Sequence, residues 1–393
     1  MDVIIPGSIT IIRDGAFSSC PALTSITIPE GVETIGKDVF YACLGLEEFI
    51  VADENKNFTT IDGILTNKEK TVLVQFPNAK SSDVSIPESI MLIGEGAFAG
   101  CDNVNSVSMP DNVTTIAPWA FADCEHLTKI TLGNKVDFIG SNAFRNCKLL
   151  ESFDFPESIV HITDSIFYGC TGLNSVTMPD NVITIGNMAF WQCNDLQNME
   201  LGKNIISIGD YAFGSCRAWE NDIVLEKVVS IGDGAFLSCG KVKEMVLGKA
   251  LKEIGESAFV QMTALEAIYN HNPSPIVIEH VLYYGIHPSI DPPTMYVPVG
   301  SGNAYRSIPA WNVFIIEEKE GVANEAVNRE AVTITAASGG ITINSAELVQ
   351  VSIYAITGQP VFQKSFAGRL EIPLPRGLYI VKTNYLTKKV FVQ

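Results

Sequence analysis

No run of apolar residues in this 393-residue chain approaches the roughly 18 that a membrane helix needs, although 47% of the residues are hydrophobic. Basic residues are scarce: 26 Lys and Arg face 44 Asp and Glu, for a formal net charge of -18. Nucleic-acid binding draws its affinity from Lys and Arg on phosphates, so this balance argues against DNA or RNA as a partner. The five histidines form no H-E-x-x-H, and no G-x-S-x-G elbow occurs. The opening residues "MDVIIPGSIT" lack the basic start, apolar stretch and small-residue cleavage site of a signal peptide. They begin inside the repeat pattern described next, so an upstream segment is expected to be missing.

Cysteine, by contrast, is plentiful and regular. Cys20, Cys43, Cys101, Cys124, Cys147, Cys170, Cys193, Cys216 and Cys239 each follow a phenylalanine by three residues, from Phe17 to Phe236. Consecutive members lie 23 residues apart, except between Cys43 and Cys101, where a spacing of 58 fits one degenerate repeat carrying an insertion. Phe259 keeps the beat with Met262 in the cysteine's place. A period in this range marks a solenoid.

Superposed, the units read L-x-x-I-x-I-P-x-x-V-x-x-I-G-x-x-A-F-x-x-C, as in Leu23, Ile26, Ile28, Pro29, Val32, Ile35, Gly36, Phe40 and Cys43. The L-x-x-I-x-I portion alternates as a half-buried strand does. Pro or Gly ends it at Pro29, Pro87, Pro110, Gly133, Pro156, Pro179, Gly202 and Gly248. Each repeat is then a coil of strand, turn, short return segment and turn, stacked on its neighbours with strands about 4.8 Å apart in a parallel sheet on one face. Eleven or so coils make a rod roughly 50 Å long at that spacing.

A cysteine at every equivalent rung is expected to point into the core as a small hydrophobe. Parallel side-chain vectors and an odd count argue against a disulfide framework, and nine identical positions offer neither a catalytic base nor mixed metal ligands. His271, His280 and His287 fall near Glu279 and Asp291 without a ligand spacing, which points to packing. "GEGAFAG" (94–100) and "GDGAF" (232–236) are solenoid turns without a phosphate-loop lysine. "DENKN" (53–57) opens like a calcium loop, but Phe58 and Ile64 stand where Gly and Glu are required. The chain is therefore read as non-enzymatic, with no catalytic residue, cofactor or metal.

What remains is surface. The strand positions expected to face outward are polar: Ser106 and Ser108, Lys129 and Thr131, Ser152 and Asp154, Ser175 and Thr177, Asn198 and Glu200. Such a face suits an extended protein or glycan through many modest contacts, or simply solvates the sheet. No aromatic stripe stands out at these positions.

The repeat resembles the BspA-like leucine-rich repeats found on the surfaces of Bacteroides-type bacteria and some parasitic protists, over roughly residues 1–316. The resemblance covers an insertion at about 51–80, with hairpin turns expected at Asp62-Gly63 and Asn67-Lys68. It also covers a closing cap at about 270–316 carrying Tyr296, Tyr305, Trp311 and Phe314. It implies a leucine-rich-repeat-like solenoid at the cell surface that binds host extracellular-matrix proteins or other cells. The alternative reading is a surface carbohydrate-binding module for nutrient capture.

After an acidic linker at 317–331 the beat is lost. Residues 332–393 alternate in short runs that suggest six or seven strands of a small antiparallel β-sandwich. Lys364, Arg369, Arg376, Lys382, Lys388 and Lys389 against Glu347 and Glu371 give residues 333–393 a net +4, leaving -22 on residues 1–332. "VSIYAITGQPV" (351–361) and "PLPRGLYIVKTNYLTKKVFVQ" (373–393) resemble the C-terminal sorting domain of the type nine secretion system, which implies export across an outer membrane; the alternative is a generic sandwich that links or anchors the rod.

Overall fold

The computed structural model describes residues 3–280, 282–283, 292–320, 322, 332–337, 339–355, 359–383 and 387–392. The solenoid is present, with 23-residue coils in register over most of its length. Strands Asp83–Ser85, Ser106–Ser108 and Lys129–Thr131 pair in parallel, with Val107 opposite Ile130 one repeat later. Ser152–Asp154, Ser175–Thr177 and Asn198–Met199 pair the same way.

The return segment is itself a ladder. Leu92–Ile93, Thr115–Ile116 and Phe138–Ile139 pair in parallel, as do His161–Ile162, Thr184–Ile185, Ser207–Ile208, Ser230–Ile231 and Glu253–Ile254. The F-x-x-C segment makes the third side. In one coil Trp119 and Asp123 lie in the left-handed region, with φ of 61° and 57°. That geometry aims the N–H groups of Trp119, Phe121 and Asp123 at the carbonyls of Ser141, Ala143 and Arg145 in the next coil, at 3.1, 2.8 and 2.7 Å. Each coil thus satisfies backbone groups of its neighbour on three sides, as burial in a stack demands.

Side chains in the interior repeat with the backbone. The rings of Phe76, Phe98, Phe121, Phe144, Phe167, Phe190, Phe213, Phe236 and Phe259 form one continuous stack with centroids 4.7–6.3 Å apart. Beside it run the thiols. All nine are free; Cys20 is half-buried and the other eight are buried. Seven of them, from Cys43 to Cys239 with Cys101 excepted, donate to the carbonyl of the phenylalanine 26 residues earlier, at 2.9–3.3 Å. Cys101 donates instead to Asn78 Oδ1 at 3.2 Å, so the degenerate repeat is identified by Phe76 and Asn78.

The insertion is a pair of hairpins, Phe58–Ile61 with Ile64–Asn67 and Ile64–Asn67 with Val72–Gln75. Asp62 and Gly63 both take positive φ, 48° and 72°, as expected for a two-residue turn. The second turn is longer than Asn67-Lys68: Asn67 Oδ1 accepts from the N–H groups of Thr71 and Val72, and Lys70 carries the positive φ of 61°. The hairpins divide the interior into two apolar clusters, one from Ile12 to Leu65 and one from Ile64 to Ile316.

At the other end, strands Ala267–Asn270, Thr294–Pro298 and Ile315–Lys319 continue the parallel sheet. Tyr305 and Trp311 are fully buried there, tied by Tyr305 Oη to the carbonyl of Asn272 at 2.7 Å and by Trp311 Nε1 to that of Ile276 at 2.9 Å.

The tail is antiparallel throughout. Two long strands, Gly340–Ala355 and Pro360–Pro373, pair along their length with a register shift between Ser345 and Val349. On the other edge of Gly340–Ala355, its first half pairs with Val332–Ala337 and its last with Gly377–Thr383, which pairs in turn with Thr387–Val392. The sheet curls so that its halves face each other across Ile334, Ile343, Val351, Ile353, Val381 and Val392. The sandwich-like tail is thus present. Five strands are seen among the described residues because runs read as separate strands fuse through the register shift into the two long ones.

Candidate functional site

Because the strands are in register and successive side chains alternate in direction, the predicted outward residues form columns. Ser106 stands opposite Lys129 and Ser108 opposite Thr131; Ser152, Ser175 and Asn198 form a row, as do Asp154 and Thr177. Ser106 and Ser175 are half-buried and the other eight are exposed, while the residues between them, Val107, Ile130, Phe153, Val176 and Met199, are buried. The columns are joined sideways: Ser106 Oγ donates to Asp83 Oδ1 at 2.6 Å and Ser108 Oγ to Ser85 Oγ at 3.3 Å. Asp83 and Ser85 therefore extend the face by one coil that sequence reasoning missed, because the degenerate repeat hid its strand.

The face is not one sheet. Ladder pairing is interrupted between Lys129–Thr131 and Ser152–Asp154, and again after Asn198–Met199. Glu200 lies one residue beyond its strand. At the second interruption Thr177, Asn198, Glu200 and Asn221 line a shallow surface depression. Beyond it the column changes character, running Val224, Val246, Tyr269 and Tyr296, with Val246 buried among its neighbours. The two tyrosine rings stack at 5.2 Å, and Lys319 Nζ lies 4.9 Å from the Tyr296 ring centre. One residue is gained between Trp219 and Ile223 and one lost before Val228, which preserves the 23-residue beat but shifts this strand.

Charges on the coil edges pair across one repeat, as in Lys148 with Glu125 at 2.6 Å and Lys243 with Glu266 at 2.9 Å. Each partner carboxylate hydrogen-bonds the ammonium and raises the lysine's pKa. Both pairs are solvent-exposed, where such contacts contribute little.

The remaining sequence candidates are dispersed. His126 and His161 are exposed on separate coils, and His161 Nδ1 lies 2.8 Å from Thr184 Oγ1. His271 is buried with Nδ1 3.2 Å from Glu226 Oε2, and His280 Nε2 meets the carbonyl of Ile254 at 2.9 Å. His287 and Asp291 lie outside the described residues. In "DENKN" the carbonyls of Asp53 and Asn55 receive the Lys68 ammonium at 3.3 and 2.6 Å. No group of three or more His, Cys, Asp or Glu among the described residues is placed to hold a metal ion. No helix among them is long and apolar enough to cross a membrane.

Eleven coils, a phenylalanine stack and a thiol ladder agree with the family comparison. The BspA type leucine-rich repeat region matches six times, over residues 1–63, 74–194 and 160–283, and the chain belongs to that family. Residues 321–392 match a family described only as a domain of unknown function. Among solved structures, the chain is similar to a leucine-rich repeat protein from Eubacterium ventriosum, at 28% identity over 50% of this chain and 54% of that one, with a TM-score of 0.48. It is also similar to a leucine-rich cell surface protein from Faecalibacterium prausnitzii, at 33% identity over 50% and 52%, with a TM-score of 0.46. A leucine-rich repeat protein from Bacteroides ovatus matches at 20% identity over 79% and 88%, also with a TM-score of 0.46. The chain spans about half the length of the first two structures. No curated protein matches it.

Proposed function

We propose that this chain is a non-enzymatic, exported cell-surface protein whose solenoid binds an extended protein partner, in host extracellular matrix or on another cell, along the outward strand columns. The observation that carries the reading is the register of those columns: hydroxyl, amide and charged groups recur at the coil spacing from Asp83 to Glu200. A flat, repeated surface of that kind suits many small contacts whose sum is large. The depression lined by Thr177, Asn198 and Glu200 gives the face one local feature for a partner side chain. The tail is proposed to sort or anchor the rod at the outer membrane, a reading supported by the sorting-domain words around Val351–Val361 and Gly377–Lys382.

The test is binding of the full chain to immobilised matrix proteins at physiological salt. Saturable binding that weakens roughly tenfold in a combined Lys129→Ala, Asp154→Ala, Asn198→Ala variant supports the reading, since single contacts of this kind are each expected below about 1 kcal/mol. Binding untouched by that variant moves the site off this face, and no binding to any matrix protein sinks matrix adhesion. For the tail, a secreted reporter fused to residues 332–393 should reach the surface of a bacterium possessing the type nine system. Retention in its periplasm would overturn the sorting role.

A further inference from the structure

The side of the solenoid built by the F-x-x-C turns, away from the outward strand columns, carries large aromatic side chains on four of five successive coils, with Arg145 on the other. Trp119 is exposed; Tyr168, Trp191 and Tyr211 are half-buried; and Met188 is exposed among them. Arg145 bridges the first members, its guanidinium carbon 5.8 Å from the centre of the Trp119 ring and 4.0 Å from that of Tyr168. Trp191 and Tyr211 meet edge to face at 5.3 Å and 87°. Two of these rings rest on glycines of the following coil. A Cβ at Gly214 would sit 2.2 Å from two Trp191 ring carbons, and one at Gly234 would sit 2.4 Å from Tyr211.

The polar groups beside the rings are fixed in place. Asp164, Asn187 and Asp210 are exposed, and Asn187 and Asp210 immediately precede Met188 and Tyr211 in the chain. Asp164 Oδ1 accepts the N–H of Asn187 at 2.7 Å, Asn187 Oδ1 that of Asp210 at 2.7 Å, and Asp210 Oδ1 that of Asp233 at 2.9 Å. Each is locked to the next coil through one side-chain oxygen.

We propose that this aromatic row is a binding site for a neutral polysaccharide lying along the solenoid axis. The chemistry matches at two levels. The ring faces carry negative charge density that attracts the C–H face of a sugar ring, one face of Tyr168 being already covered by Arg145. The flanking carboxylate and amide groups accept from or donate to its hydroxyls, as Arg145 does as a donor. Charge sets the rest of the selectivity: Asp123, Asp164, Asp210 and Asp233 outnumber Arg145, so an anionic glycan or nucleic acid is repelled. A protein partner fits less well, because a dry interface over the rings would bury these carboxylates unpaired, whereas sugar hydroxyls take the place of the water that solvates them. The site is separate from the strand columns and stands or falls independently of them.

The test is affinity electrophoresis of the full chain through gels containing hydroxyethylcellulose, xyloglucan, galactomannan or yeast mannan, with polygalacturonate as the anionic comparison. Retardation by at least one neutral polymer, and none by polygalacturonate, is expected. A Tyr168→Ala, Trp191→Ala double variant should weaken it roughly tenfold, two ring contacts of ordinary strength. The strand-column triple variant should bind glycan like the parent. Trp119→Ala, at the most exposed ring, provides a second readout should the double variant melt early by circular dichroism. No retardation by any neutral polymer, retardation unaffected by the ring substitutions, or stronger retardation by polygalacturonate each overturns the proposal. Loss of matrix-protein binding in the ring variants, with no glycan bound by the parent, would reassign the row as a protein contact.

Discussion

The thiol of Cys239 donates to the carbonyl of Phe213, 26 residues earlier, at 3.2 Å. It is a buried cross-coil hydrogen bond, repeated along the rod, and it explains why a cysteine stands at this rung. Burial pushes the thiols of Cys101, Cys124, Cys147, Cys193, Cys216 and Cys239 well above the ordinary cysteine value.

Alkylation with iodoacetamide at pH 8 should therefore separate the cysteines. Half-buried Cys20 reacts first, the buried eight react slowly, and all nine react once the chain is unfolded in urea. Peptide mass spectrometry reads each site. Rapid modification of Cys124 or Cys239 in the folded protein would contradict the ladder.

Phe167 sits between Phe144 and Phe190 in the ring stack and is fully buried. Phe167→Ala should cost about 3–5 kcal/mol, as large core truncations do. Phe167→Leu should cost less, and urea denaturation of both variants gives the comparison.

Gly63 holds φ +72°, and a Cβ there would approach that of Glu48 to 2.9 Å. Gly63→Val should destabilise the hairpin by about 1–3 kcal/mol through backbone strain. Hydrogen exchange should show the loss among residues 12–65, with protection around Phe190 unchanged.

Tyr41 donates from its hydroxyl to Asp123 Oδ2 at 3.1 Å. Burial, then the Asp123 charge, pushes its pKa up to about 12. The unfolded value is near 10, so this contact stabilises the fold fully below about pH 10 and is lost as pH rises towards 12. The difference in 295 nm absorbance between parent and Tyr41→Phe should titrate near 12. A midpoint near 10 would show that Tyr41 is neither buried nor held by Asp123.

Much of this was legible because a solenoid copies its answer. The Phe and Cys columns, the Pro or Gly strand ends and the outward Ser, Thr and Lys positions recur at one spacing, so each coil confirms the last. The second ladder was not legible, since pairs such as Thr115–Ile116 are too short to show a period. Superposing the repeats also hides what varies. Trp119 and Tyr211 lie two places before a phenylalanine, and Tyr168 and Trp191 one place after, so no shared column announces the aromatic row. In the tail, a register shift near Ser345 reads as a strand break although the ladder resumes at Val349.

The division of the interior at the hairpins bears on how the molecule responds to tension. The ring stack that begins at Phe17 and Phe40 does not reach Phe76, and the apolar cluster on the N-terminal side is much the smaller. Within the solenoid, a pull along the chain therefore meets two mechanical elements in series, with the short one expected to yield first. The protein would lengthen by a discrete step while the longer block, with the aromatic row and most of the strand columns, kept its shape.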